Sequence, residues 1–261
     1  MSERRFLDLA GCRPYRTMGH SCELKEIAEF QVRWPSLITS DDLKNDDLQM
    51  RYLRGGDVDR VVELWKNVYP EVYGSTHEFV FDPAWYQDQV LWDERFESDA
   101  LDKQYAIILM ENLENERPVG ILLMTKWNQN LQVELTMGGL HSEFRQNRAF
   151  YPFFRDILDS ISKTEAELVT VFAETWHDKT QKLMDHFGFN IWGIFPGNMM
   201  RWSRDQSCYR ACEVHYYKLI NNGERFSTRP DEWNLSEKSR KLWAVLQELN
   251  ADNQEPANED R

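Results

Sequence analysis

The chain contains few cysteines and no long hydrophobic segment. Its four cysteines, Cys12, Cys22, Cys208 and Cys212, form no CxxC pair and have no paired histidines nearby. We therefore expect no zinc site and interpret them as free thiols in a reducing cytoplasm. No apolar run approaches the roughly 20 residues of a membrane-spanning helix, and the N-terminus lacks the hydrophobic core of a secretory signal. These absences predict a cytoplasmic protein that has no membrane partner.

Positive charge is also scarce in this sequence. The chain has 31 Lys and Arg against 44 Asp and Glu, which gives a formal net charge of −13. No nucleic-acid partner is expected, and a polyanionic ligand would have to be bound by a local cluster of basic side chains. Hydrophobic residues make up 41% and aromatic residues 13% of the chain. This content supports a sizeable core and argues against global disorder.

The residue patterns divide the chain into three parts. Residues 1–47 are predicted to be an N-terminal extension, and residues 221–261 a C-terminal linker, helix and disordered tail. Between them, residues 48–220 show the order β-α-α-β-β-β-α-β-α-β-β, in which several strands are continuous apolar runs. Strands of this kind are covered on both faces. We therefore predict an α/β domain (a mixed α+β sheet) with one central sheet.

Four local features carry most of this element assignment. Apolar residues at helical spacing predict a helix over Val58–Val68, and Pro83 is predicted to open a second helix over residues 84–96. A turn is predicted at Pro196-Gly197. The Gly138-Gly139 pair lies near the end of a predicted strand, where we expect a β-bulge.

Residues 131–158 combine a strand, a short basic loop and the beginning of an apolar helix. The first N–H groups of a helix have no partner within the helix, and the helix dipole favours negative charge at that end. A strand, a basic turn and a helix N-terminus in this order can therefore bind an anion. The pattern predicts that this turn holds a phosphate-bearing ligand.

Three stretches, residues 50–65, 133–154 and 172–189, resemble parts of the GNAT superfamily of CoA-dependent N-acyltransferases. The third stretch closes with HFGF, where the family commonly has a Gly-Phe pair. Together with the order of elements, these stretches extend the resemblance over about residues 49–220. The chain resembles a divergent member of the superfamily. It implies a twisted mixed sheet flanked by helices and the use of acetyl-CoA or another acyl-CoA. It also implies an amine acceptor on a small molecule or a protein, and it leaves a homodimer open.

The resemblance also implies a set of cofactor-binding residues. The pyrophosphate loop of the family, Q/R-x-x-G-x-G/A, aligns here with residues 145–150, and both small positions are lost to Arg148 and Phe150. Glycines in such a loop allow close backbone approach to phosphates. Arg148 either compensates with a charge-assisted contact or is a surface charge beside a loop that no longer binds. The backbone near Leu140 and Ser142 is expected to hydrogen-bond the pantetheine arm. The candidate cofactor-binding residues are therefore Leu140, Ser142, Arg145, Gln146, Asn147, Arg148, Ala149, Phe150 and His177.

Glu134 is the candidate general base. It lies eleven residues before Arg145, the position at which the histone-acetylating branch of the family carries its base. Burial on a covered strand would raise the pKa of this carboxyl toward a useful value, whereas an exposed Glu134 would have no such role. Thr136, two residues later, either hydrogen-bonds a substrate or simply suits a strand.

The position at which many family members carry an acidic Tyr is matched by Met184, and the neighbouring Asn position by His177. His177 is therefore a candidate acid/base group or cofactor contact, or alternatively a half-exposed helix cap. No metal is expected.

The predicted activity is direct transfer of an acyl group to an amine. One alternative is a GNAT-like acyl-CoA decarboxylase that uses Thr136 and His177, and the other is a catalytically degenerate binding module.

Overall fold

The computed structural model describes residues 30–144, 150–203 and 207–251. The helices are α1 (Asp41–Asn45), α2 (Val58–Val68), α3 (Pro83–Gln89), α4 (Phe96–Asp102), α5 (Phe150–Ile161), α6 (Asp178–His186) and α7 (Glu237–Asn250). The strands are β1 (Leu48–Tyr52), β2 (Tyr105–Asn112), β3 (Pro118–Trp127), β4 (Gln132–Leu140), β5 (Leu168–Glu174), β6 (Asn190–Trp202) and β7 (Cys208–Leu219). Among the helices of these ranges, none has the length and hydrophobicity required to span a bilayer.

The seven strands form one mixed sheet in the order β1-β2-β3-β4-β5-β7-β6. Neighbouring strands are antiparallel except for β4 and β5, which run parallel and are connected through α5. This arrangement confirms the predicted α/β fold class with one central sheet. In this sheet, β4 and β5 are the one pair of neighbouring strands that run in the same direction.

Helices cover both faces of the sheet. The first core lies under α5 and α6, where Phe153, Phe154 and Leu183 pack against the strands. The second core lies under α2 and α3 on the other face, where Trp65 and Tyr86 are fully buried. Because both faces are covered, the strand sequences are near-continuous apolar runs rather than alternating ones.

Part of the predicted N-terminal extension packs into the first core. Val32 and Trp34 are buried there together with the strands. The Lys126 ammonium connects this segment to α4, since it donates hydrogen bonds to the carbonyls of Val32 (2.9 Å), Ala100 (2.8 Å) and Leu101 (2.7 Å). Residues 1–29 and 252–261 lie outside the described residues.

The predicted helix after Pro83 is confirmed as far as Gln89, but its predicted extension to residue 96 is wrong. Helix α3 ends at Gln89, and the next three residues, Val90, Leu91 and Trp92, are extended and buried. A helix on a protein surface cannot bury three consecutive side chains, whereas an extended segment between two packed layers can. The Leu91 N–H donates instead to the carbonyl of Tyr105 (2.9 Å).

The predicted turn at Pro196-Gly197 is also wrong, because β6 continues through it to Trp202. The pairing register with β7 shifts between Phe195 and Met199, and Gly197 has φ +66°. The two residues therefore form a bulge rather than a reversal. Strand β6 is at the edge of the sheet, where a proline without an N–H costs no ladder hydrogen bond.

Candidate functional site

Strands β4 and β5 separate halfway along their length. Their parallel pairing runs from Gln132 and Leu168 to Leu135 and Val171 and ends there. Beyond that point β4 still pairs with β3, and β5 still pairs with β7. The two strands therefore diverge from Thr136 onward and leave a slot in the middle of the sheet.

The bulge at the slot is at Thr136 and not at the predicted glycine pair. Leu135 pairs with Met124 and Met137 pairs with Leu123, so Thr136 is the extra residue. Its hydroxyl lies 2.7 Å from the hydroxyl of Thr125. The bulge turns Met137 to the second core, whereas Leu135 faces the first. An extra residue kinks the strand locally, and this kink lies where the slot begins.

The glycine pair has a different role, which is close packing. A Cβ on Gly139 would lie 2.6 Å from Cγ1 of Val68, at the end of α2. A Cβ on Gly138 would lie 2.7 Å from Cδ1 of Leu122. Helix α2 can approach this half of β4 only because Gly139 has no side chain, and Gly138 leaves room for Leu122 of β3.

Two continuous pockets occupy the slot. The inner pocket lies between the diverging strands and is lined by residues 135–138 and 171–174 together with Tyr69, His77, His177, Thr180, Arg201 and Glu213. The outer pocket opens to the surface and is lined by residues 67–71, 138–140 and 176–180 together with Ser142, Phe150, Tyr151 and Lys182. Gly138, Phe150 and His177 line both pockets.

The described cofactor-binding candidates lie at the slot. Leu140 and Ser142 line the outer pocket, and Phe150 lines both pockets at the beginning of α5. The Ser142 N–H already donates to Oδ1 of Asn67 (3.1 Å), so it is engaged within the protein. A fourth candidate, His177, lines both pockets as well. The remaining five, Arg145, Gln146, Asn147, Arg148 and Ala149, lie outside the described residues.

Two helix N-termini meet at the outer pocket. Helix α5 begins at Phe150 and α6 begins at Asp178, and both residues line this pocket. Lys179 and Lys182 line it as well, and the Lys182 ammonium lies 2.9 Å from the Asp178 carboxylate. Helix N-termini and ammonium groups both favour anions. The outer pocket is therefore suited to bind a phosphate-bearing group, although Asp178 opposes it.

His177 and Thr136, two of the three predicted catalytic residues, both line the inner pocket. His177 is the residue before α6, and its Nδ1 lies 2.5 Å from the hydroxyl of Thr180. Met184, at the position of the family's Tyr, is fully buried in the first core and has no proton to give. His177 and Thr180 are thus the protic side chains that α6 and its cap bring to the pocket.

Glu134 lies one step outside the slot. It is on β4 between Thr125 and Thr170 of the neighbouring strands, and Nε1 of Trp127 lies 3.4 Å from its carboxylate. Burial raises the pKa of Glu134, and the charge of Glu213 adds to this, while hydrogen bonds from Thr136 and Trp127 oppose it. The described residues that line the two pockets do not include Glu134.

Sequence reasoning missed a polar cluster in the inner pocket, formed by Tyr69, His77, Glu174, Arg201 and Glu213. Nε of Arg201 lies 2.6 Å from Oε1 of Glu174, and its Nη2 lies 3.9 Å from Oε1 of Glu213. These residues come from the end of α2, a loop, β5, β6 and β7, so no local pattern connects them. Glu174, a carboxylate that ends a covered strand, was the one signal in the sequence.

No family model matches the chain, and no curated protein matches it in sequence. Its fold, however, matches solved structures of spermidine N-acetyltransferase SpeG from Vibrio cholerae. A mutant of that enzyme has 14% sequence identity and a TM-score of 0.52 over 69% of this chain and 97% of the other. The same enzyme in complex with CoA and spermine has 14% identity and a TM-score of 0.51, covering 69% and 99%. A dodecameric form has 15% identity and a TM-score of 0.51, covering 67% and 95%.

The chain therefore has the fold of the GNAT acetyltransferases, as the three resembling stretches predicted. The part of the chain that is matched is about two thirds of its length. At this sequence identity the likeness shows the fold alone, because one fold can carry many different activities.

Proposed function

We propose that this protein is a CoA-dependent N-acyltransferase that moves an acyl group, such as acetyl, from acyl-CoA to a primary amine of a small molecule or a protein. The observation that carries this proposal is the slot that opens between β4 and β5 beyond Leu135 and Val171. The slot connects a deep pocket to an outer pocket at which two helices begin. A long, thin ligand with a phosphate-bearing end fits such a shape.

The outer pocket supports the binding of the nucleotide end of such a donor. The N-termini of α5 and α6 and the ammonium groups of Lys179 and Lys182 supply positive potential in a chain of strongly negative net charge. The diverging strand edge at residues 136–138 offers backbone groups to the amide-containing arm of the donor. The inner pocket then receives the thioester.

In the proposed reaction Glu134, acting through a water molecule, takes a proton from the acceptor amine. Its raised pKa brings the carboxylate closer to the range in which a general base works. The amine nitrogen bonds to the thioester carbonyl carbon, the carbon–sulfur bond breaks, and the thiolate leaves as the thiol after it gains a proton. His177, whose Nδ1 contacts the hydroxyl of Thr180 at the inner pocket, supplies that proton, and Thr136 orients the acceptor.

The slot can be tested by filling it. Thr180 lines both pockets, so Thr180→Trp should abolish the thermal shift that CoA or acetyl-CoA produces on the wild-type protein. Asp159→Trp, on an exposed position of α5, is the matched control and should retain the shift. If millimolar CoA and acetyl-CoA stabilise neither the wild type nor the control, the proposal fails.

Turnover separates the proposed activity from its two alternatives. Transfer of radiolabelled acetyl groups from acetyl-CoA to a panel of primary amines is the expected result. Release of CO2 from malonyl-CoA without an amine would indicate the decarboxylase instead. Tight CoA binding with neither reaction would indicate a binding module.

A further inference from the structure

Two nitrogen atoms in the inner pocket are buried without a hydrogen-bond partner among the described residues. One is Nη1 of Arg201, whose side chain is only 5% exposed, and the other is Nδ1 of His77. Both residues line the inner pocket. A buried polar atom that remains unsatisfied costs free energy, typically about 1–3 kcal/mol and more for a charged group. Two such atoms in one pocket point to a ligand that satisfies them.

The Arg201 guanidinium is held in place by the residues around it. Its Nε contacts Glu174 at 2.6 Å, and its Nη2 lies 3.9 Å from Glu213. Glu213 is itself fixed, since its other oxygen accepts a hydrogen bond from Nδ2 of Asn198 (2.6 Å). The N–H groups of Nη1 are therefore fixed in direction and remain available to an oxygen that none of the described residues supplies.

His77 contributes a neutral ring to the same pocket. Burial, together with the nearby charge of Arg201, lowers the pKa of His77 to about 4. In the tautomer that carries its proton on Nδ1, the neutral ring can donate one hydrogen bond from this atom to an oxygen. His77 therefore adds a polar contact but no positive charge.

The formal charges decide which kind of oxygen fits. Arg201 contributes +1, and Glu174 and Glu213 contribute −1 each, so these three described side chains sum to −1. A carboxylate from a ligand would bring the sum to −2 in a largely desolvated pocket, which is unfavourable. An uncharged oxygen adds no charge, and a protonated amine on the same ligand offsets the existing excess.

We propose that the inner pocket selects amine acceptors that carry an uncharged oxygen, such as the carbonyl of a carboxamide or a peptide bond, and that Arg201 and His77 bind this oxygen. Acceptors with a free carboxylate at the same position are rejected. This specificity rests on the proposed acyltransferase function.

Three series of acceptors of equal chain length test the proposal. They are ω-amino carboxamides, the corresponding ω-amino acids and the corresponding alkylamines, each with two to six carbons. With acetyl-CoA as donor, kcat/KM for the best carboxamide should exceed that for its alkylamine at least tenfold and that for its amino acid by more. Equal values, or a preference for the amino acids, would overturn the proposal.

Two variants connect this preference to the named residues. Arg201→Lys keeps the charge but removes Nη1, and His77→Leu removes the polar nitrogens. Each should reduce the carboxamide preference to about twofold or less while CoA affinity, measured by calorimetry, stays unchanged. Arg210→Lys, an exposed position on β7, is the control and should keep the full preference. If Arg201→Lys does not fold, His77→Leu decides, and a fully retained preference there contradicts the proposal.

The outcomes distinguish the two levels of inference. Acetyl transfer that proceeds equally well to all three series overturns the acceptor specificity but leaves the acyltransferase function intact. CoA binding without transfer to any of the three series, to the wider panel of primary amines or to a protein overturns both.

Discussion

The hydroxyl of Tyr69 donates a hydrogen bond to the backbone carbonyl of Gly138 at 2.9 Å. Tyr69 is the residue after the last turn of α2, and Gly138 is part of the wall that the inner and outer pockets share. The contact therefore fastens a helix of the second core to the strand that has separated from β5. It supports this wall of the slot, where β4 still pairs with β3 but no longer pairs with β5.

We predict that Tyr69→Phe weakens this wall. The variant loses one hydrogen bond, so the free energy of unfolding should fall by about 1 kcal/mol. CoA affinity should fall several-fold, because the slot is less well ordered before the ligand binds. Urea unfolding and isothermal titration calorimetry measure the two effects. Tyr209→Phe, at an exposed position of β7, is the control, and equal behaviour of the two variants would contradict this role.

The second prediction concerns close packing at Gly139. Gly139→Ala would place a methyl group 2.6 Å from Cγ1 of Val68, a stiff β-branched side chain, and should destabilise the protein by about 1–3 kcal/mol. Gly55→Ala is the matched control, because a Cβ there meets nothing within 4 Å. Its unfolding free energy should stay within about 0.5 kcal/mol of the wild type. Similar losses in both variants would show that the contact with α2 is not the reason for Gly139.

The third prediction concerns the buried ion pairs beneath α2. Arg51 contacts Asp57 at 2.6 Å and Glu111 at 2.7 Å, and the Glu111 side chain is 0% exposed. Arg51→Met leaves buried carboxylates without their main partner and should cost about 3–5 kcal/mol of unfolding free energy.

The exposed pair of Arg117 and Glu143 provides the comparison for Arg51. Arg117→Met should cost less than about 1 kcal/mol in the same denaturation experiment, since exposed ion pairs contribute little. A loss from Arg51→Met no larger than this would mean that the buried network does not stabilise the fold.

The fourth prediction is the pH dependence of activity. If Glu134 is the general base, Glu134→Gln should reduce kcat by about 10²–10⁴-fold. A base works in its deprotonated form, and burial raises the pKa of Glu134. Wild-type activity should therefore be lost as the pH falls through the pKa of Glu134, which is higher than that of an unburied glutamate. Full activity of Glu134→Gln would end this assignment.

The same shift predicts a pH dependence of stability. Because the pKa of Glu134 is higher in the folded than in the unfolded state, the folded state binds more protons between the two values. The stability of the wild type relative to Glu134→Gln should therefore fall as the pH rises through that interval. Paired urea titrations at several pH values measure the difference, and a rise with pH would contradict the burial argument.

The strands and most helices could be predicted because their signals are local. The spacing of apolar residues over Val58–Val68 matches the helix that forms, and Gly188 ends α6 with φ +65° as a helix-terminating glycine does. The helix that begins at Pro83 was predicted too long, because the pattern does not show that Val90 bridges to Tyr105, fifteen residues later along the chain. Contacts of that kind override local helix propensity.

The candidate site was predictable in part for the same reason. His177 and Thr136 could be placed from their neighbours in sequence and from the resemblance, and both line the inner pocket. His77, Glu174 and Arg201 could not be grouped, because only the folded sheet brings a loop, the end of β5 and the end of β6 together. The chain alone also suggested that the glycine pair forms the bulge, whereas the pairing with β3 shifts at Thr136.

The sequence by itself thus determined the class of fold, since apolar periodicity and helix-ending signals depend on neighbouring residues. Only the tertiary structure decided where β4 separates from β5, why position 139 has no room for a side chain, and which charged groups meet in the inner pocket. Those features arise when distant segments are packed at fixed distances, and the free energy of a buried charge depends on every group that surrounds it.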